Sequence, residues 1–97
     1  MPSYLTLAKW SEQGIRNVKA SPQRLDAAKA AAKAAGGRVV FFYMTMGEHD
    51  LAVLWELPND EAAARVLLGI GMSGNARSTT MKAFTEDKYR KVIGSLP

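Results

Sequence analysis

The chain contains no cysteine. Disulfides and thiolate metal sites are therefore excluded, which accords with a reducing compartment. The single histidine, His49, leaves no set of imidazoles at the spacing that zinc or non-haem iron requires. Long apolar runs are missing as well. "VVFFYM" is far too short to cross a bilayer. The opening "MPSYLTLAKW" lacks the basic start and apolar core of a secretory leader. These absences lead us to expect a cytoplasmic protein with no membrane partner, no metal and no cofactor.

What remains is an ordinary globular composition, 47% hydrophobic and 23% charged, which sets the chain apart from disordered sequences. Its 97 residues suffice for one domain, 1–97, and not for two. A domain of this size buries roughly 60–70% of its unfolded surface, so burial against a partner would add to a modest core. The net charge of +4 is unevenly spread. Residues 1–38 carry seven bases and two acids, 39–64 five acids and no base, and 65–97 six bases and two acids. An acidic middle between basic ends suits complementary surfaces within the fold or between subunits. It equally suits a solvated surface.

Ser3 to Trp10, "SYLTLAKW", alternates in part and reads as a strand, followed by a loop over residues 11–20. Ser21 as N-cap with Pro22 at the first helical position predicts a helix that ends at Gly36-Gly37. Leu25, Ala28, Ala32 and Ala35 share one face of it, and alanines allow a close approach to a sheet. Residues 38–46 and 49–57 read as strands joined by a two-residue Gly47-Glu48 turn of type II′. Asn59 or Asp60 caps a helix with Ala62, Ala63, Val66, Leu67 and Ile70 on one face. A fourth strand spans 76–84, and Thr85 caps a short last helix, with Phe84 and Tyr89 at the spacing of a hydrophobic staple.

The order β-α-β-β-α-β plus a C-terminal helix is the ferredoxin-like α+β pattern, with two helices on one face of a four-stranded antiparallel sheet. The hairpin strands are apolar on both parities, Val39, Phe41 and Tyr43 on one side and Val40, Phe42 and Met44 on the other. A face open to water would alternate toward polar residues. A large bare apolar face marks an interaction surface, and the same face of a second copy is the natural cover. We therefore expect a homodimer packed sheet against sheet, capable of extension to a higher oligomer.

Four stretches carry a family resemblance: "KWSEQGIRNVKASPQRLDAAKAAAKAAGG", "FYMTMGEHD", "NDEAAAR" and "GNARSTTMKAFTEDKYRKVI". Together they cover essentially the whole chain and resemble the GYD-domain proteins. These are small, mostly bacterial members of the dimeric α+β barrel group, largely of unknown function. The resemblance implies the ferredoxin-like fold and the two-sheet dimer, and brings no established reaction. Gly47 and Asp50 match the turn for which the family is named, but His49 stands at the aromatic position. A role that needs a phenol hydroxyl there is put in doubt, whereas histidine can donate one hydrogen bond and titrate near neutrality.

His49 is the candidate acid/base. If 49–57 is one strand, His49 and Asp50 point to opposite faces and cannot form a dyad, and no further triad member is evident. A structural histidine near a hairpin end is the stronger reading of the two. Gly47 and Asp50 read as turn residues, with Asp50 accepting nearby backbone N–H groups or, alternatively, pairing with Arg77 or Lys82 across a dimer. Trp10 and Tyr43 are candidate pocket walls, and Arg16 and Asn17 on the loop after Trp10 candidate contacts for an anionic group.

Gly69 to Gly74 spells G-x-G-x-x-G, but it closes a helix and enters a strand, the reverse of a dinucleotide site. "GGRVVFFYM" does not fit an RNA-recognition motif, and the acidic hairpin would repel phosphate. Both weigh against nucleic acid as a partner. The leading expectation is a homodimeric ligand-binding or assembly module without established catalysis. The alternative is a cofactor-independent monooxygenase- or isomerase-like enzyme that acts on a small aromatic substrate, with His49 as acid/base between Trp10 and Tyr43.

Overall fold

The computed structural model describes all 97 residues. Its elements are β1 (Ser3–Trp10), α1 (Glu12–Arg16), a 3-10 turn (Val18–Ala20), α2 (Ser21–Ala34), β2 (Arg38–Met44), β3 (Leu51–Glu56), α3 (Asp60–Met72), β4 (Ala76–Ala83) and α4 (Glu86–Gly94). The four strands form one antiparallel sheet in the order β2-β3-β1-β4. This is the ferredoxin-like topology, with the first strand in the interior of the sheet.

Helices α2 and α3 pack on one face. Tyr4, Ala32, Val53, Trp55, Leu57, Ala63 and Val66 are buried there as one cluster, with Val39, Phe42, Leu67 and Ile70 packed around it. Ala32 is fully buried, so the alanine stripe of α2 does bring that helix close to the sheet. Burying Leu57 and Val53 contributes roughly 1.5–3 kcal/mol each. Asn59 caps α3, its side chain accepting the Ala62 N–H at 2.9 Å. Two glycines serve close packing: a Cβ on Gly14 would lie 1.9 Å from the Asn75 carbonyl oxygen, and one on Gly37 would lie 2.0 Å from that of Glu56.

Three local expectations are corrected. The β2–β3 connection is a loop over residues 45–50, not a two-residue turn. Its ends are tied by the Thr45 N–H to the Asp50 carbonyl (2.8 Å) and by the Asp50 N–H to the Ala8 carbonyl (2.8 Å). The Asp50 carbonyl thus closes the loop while its N–H pairs with β1. Ser21 does not cap α2. The 3-10 turn delivers Ala20 already in helical geometry, so Ser21 and Pro22 fall in the first turn. The simple alternation of β2 also fails. The register steps from Val39 opposite Trp55 to Phe41 opposite Leu54, leaving Val40 as a bulge. Beyond it Phe42 and Met44, rather than Phe41 and Tyr43, share the face of Val39.

The other face of the sheet carries Leu5, Leu7, Phe41, Tyr43, Ala52, Leu54 and Met81, none of them fully buried. No helix covers it. Helix α4 leaves the sheet after β4, and every one of its residues is exposed.

Candidate functional site

The strand register places Tyr4 of β1 beside Lys82 of β4 on the helix-bearing face, and α3 begins alongside them with Asp60 as its first residue. The Tyr4 hydroxyl donates to Asp60 Oδ1 at 2.5 Å, and Lys82 Nζ lies 3.1 Å from the same oxygen. Two residues before Lys82, Thr80 Oγ1 lies 2.8 Å from Thr6 Oγ1. Thr6 in turn accepts the indole N–H of the buried Trp55 at 2.9 Å. Two strands and one helix therefore bring a phenol, a carboxylate, an ammonium and a hydroxyl to one edge of the core.

These groups line two adjoining open spaces. One, of about 250 Å³, runs between α3 and β4, with Ala63, Ala64 and Leu67 as its apolar wall and Tyr4, Thr80 and Lys82 on the sheet side. The other, of about 410 Å³, lies at the end of the sheet among Pro2, Pro58, Asn59, Glu61 and the same Asp60 and Lys82. Burial pushes the Tyr4 hydroxyl up to about 12, and the hydrogen bond and the charge of Asp60 act in the same direction. The Asp60 carboxyl is held below its ordinary range, first by the Tyr4 hydrogen bond and then by Lys82. At neutral pH the arrangement is a neutral phenol and a charged carboxylate. Tyr4 is thus a donor and a poor base.

Trp10, Tyr43 and His49 are not brought into one pocket. Trp10 shares the helix-bearing face with Ala8, whereas Tyr43, opposite Ala52, lies on the bare face and is 62% exposed. The opposite parity of Tyr43 and the intervening β3 keep them apart. His49 sits in the 45–50 loop, half-buried, and its carbonyl accepts from Thr45 Oγ1 at 2.6 Å. Asp50 accepts the Trp10 backbone N–H at 3.0 Å, a tie from the loop to the end of β1. Lys82, one candidate partner of Asp50 across a dimer, is engaged by Asp60 instead. Gly47 adopts φ +143 in open surroundings. Arg16 and Asn17 are exposed at the end of α1, where their side chains reach back to the carbonyls of Glu12 and Gln13.

Sequence reasoning missed Tyr4, Asp60, Thr80 and Lys82. Tyr4 and Thr6 share a strand parity, as do Thr80 and Lys82, but only the β1–β4 register joins the two pairs. No three residues of metal-ligating type gather in the structure. No helix is long and apolar enough to cross a membrane.

Comparison with known proteins agrees with this fold. FFRP-DM1 superposes with a TM-score of 0.62 at 20% identity, covering 87% of this chain and all of that one. The hypothetical protein PHS023 from Pyrococcus horikoshii gives 0.57 at 20% identity, over 89% of this chain and 93% of its own. The Leucine response regulatory protein LrpA of Mycobacterium tuberculosis gives 0.56 at 18% identity, over 87% of this chain and 51% of its own. At such identities the likeness is one of fold. No curated protein matches the chain in sequence at a significant level. A sequence profile of the GYD domain, however, matches residues 4–93, nearly the whole chain. The chain belongs to the GYD domain family.

Proposed function

We propose that this GYD-domain protein is a homodimeric module that binds a small molecule and performs no chemistry on it. The observation that carries the reading is the uneven covering of the sheet. One face bears two helices and a polar-edged cleft, and the other is apolar and bare. A contiguous bare apolar face on a small domain is a site of association, and a two-fold axis lets one patch cover itself. The cleft between α3 and β4 remains available on each copy. Its Ala63, Ala64 and Leu67 wall suits the apolar body of a ligand, and Lys82 and the Thr80 hydroxyl suit a polar or anionic end.

Binding is favoured over catalysis because the groups at the cleft satisfy one another. Asp60 is taken up by Tyr4 and Lys82, and Tyr4 stays neutral well above physiological pH. His49 lies in the 45–50 loop, outside the cleft lining.

Size exclusion with light scattering tests the assembly. The expected particle has twice the 10.5 kDa chain mass, and a monomer at micromolar concentration removes the dimer from the proposal. A thermal-shift screen of small carboxylates and aromatic acids tests the cleft. Hits should lose their stabilising effect in Lys82→Met and Thr80→Val and keep it in His49→Ala. The opposite pattern would return the site to His49.

A further inference from the structure

Helix α4 is the part of the molecule that its own chain does not explain. It is nine residues long, and isolated helices shorter than about 12–15 residues are marginal in water. Its apolar residues fall at i, i+3, i+4 and i+7: Tyr89, Val92, Ile93 and then Leu96 just beyond its end. Each of these is between 47% and 62% exposed. No element of the chain packs substantially against it. The detachment shows in the overall dimensions: the Cα radius of gyration is 14.5 Å, where a compact domain of 97 residues has about 12.5 Å.

A second patch matches α4 in chemistry and is out of its reach. At the far end of β2, Tyr43 is 62% exposed on the bare face, and Met46 in the adjoining loop is 95% exposed. The adjoining loop carries Glu48 and Asp50 and no Lys or Arg, whereas α4 carries Lys88, Arg90 and Lys91 against Glu86 and Asp87, with Lys88 at the side of the stripe. The two patches occupy opposite corners of the sheet. Strand β4 is one edge and ends beside Ser3, while β2 is the other edge and reaches the 45–50 loop at the opposite end. Only Phe84 and Thr85 link α4 to β4, and a nine-residue helix is about 14 Å long. An eight-residue strand alone spans about 27 Å, so α4 cannot cross its own sheet to that corner.

We propose that α4 is an exchanged arm, which seats its Tyr89, Val92 and Ile93 stripe on the Tyr43 and Met46 corner of a second copy. This rests on the sheet-to-sheet dimer proposed above and says what closes it. A two-fold axis lying between the sheets, perpendicular to the line that joins the two corners, brings each α4 corner over the partner's loop corner. Both arms are then satisfied at once, and the assembly closes instead of growing into a filament. Lys88, at the side of the stripe, approaches Glu48 across the contact, which gives the arm a preferred orientation more than added affinity.

The absence of native cysteine makes the test clean. Chains carrying Met46→Cys alone and Ile93→Cys alone are mixed under mild oxidation. A disulfide that joins one of each kind, in excess of like-with-like pairs, is the expected result. Like-with-like pairs in excess, or no covalent dimer from the mixed variants although the wild type is dimeric, would overturn the arm while leaving the sheet dimer standing. A monomeric wild type would instead overturn the dimer reading itself. In the same preparation, Val92→Asp with Ile93→Asp should raise the dimer dissociation constant by ~100-fold, the scale of a hot-spot loss. Far-ultraviolet circular dichroism should still show a folded chain, because these side chains are exposed in the single copy. An unchanged dissociation constant also overturns the arm.

Discussion

Helix α3 begins at Asn59, whose side chain accepts the N–H of Ala62, and α4 begins at Thr85, whose side chain accepts the N–H of Lys88. Both carry two acids in the first turn, where the helix dipole favours them, and both have an apolar stripe. Yet α3 buries Ala62, Ala63 and Val66 in the core, and α4 buries nothing. Local chemistry writes where a helix starts. Whether it is held depends on a surface that receives its stripe, and no element of its own chain does so for α4.

The contrast breaks most visibly in apolar truncations. Leu57→Ala, in the core that α3 covers, should lower unfolding stability by about 2–5 kcal/mol, whereas Val92→Ala at monomeric dilution should stay within about 0.5 kcal/mol. Urea denaturation at nanomolar concentration separates them, and comparable losses from both would mean that α4 is packed after all. Next come the glycines. Gly37→Ala and Gly14→Ala drive a methyl into backbone oxygen and should cost about 1–3 kcal/mol. Gly69→Ala, on α3 with open space around it, should raise the melting temperature through about 0.5–1 kcal/mol of helix propensity.

The caps sharpen the comparison at smaller scale. Asn59→Ala should cost about 1 kcal/mol of global stability. Thr85→Ala removes a similar cap, but it should show in amide exchange of α4 and leave the global transition of the monomer unmoved. A further effect is one of pH. A depressed Asp60 contributes stability that is present above its ordinary value and lost as pH falls through its lower folded value. A Tyr4 pushed from 10.0 to about 12 contributes stability that is present below 10.0 and lost as pH climbs toward 12. Tyr4→Phe should flatten the alkaline limb of the denaturation profile, and an unchanged limb would assign it to other groups.

The sequence spoke clearly where chemistry is local. Asn59 and Thr85 announced their helices, and the alanine face of α2 and the stripe of α3 pointed to the core they now form. It failed in two kinds of place. In β2 one unpaired residue, Val40, shifts the alternation, and nothing in "RVVFFYM" marks which of two adjacent valines will be skipped. In the cleft, Tyr4, Asp60 and Lys82 lie 56 and 22 residues apart, so their meeting depends on a register that no local pattern encodes. Around His49 the strand parity is what separates the residues: Tyr43 pairs with Ala52 on the bare face, and His49 lies in the loop before β3.

Strand β1 sits between β3 and β4, with no direct pairing to its sequence neighbour β2. The first strand to be synthesised is therefore the last to be completed, since one of its edges stays open until residues 76–83 exist. Such long-range closure slows folding and leaves a hydrogen-bonding edge exposed in the meantime. In the growing chain, Leu5 and Leu7 wait beside that open edge until β4 has emerged, and it is there that a chaperone or a wrong partner would find it first.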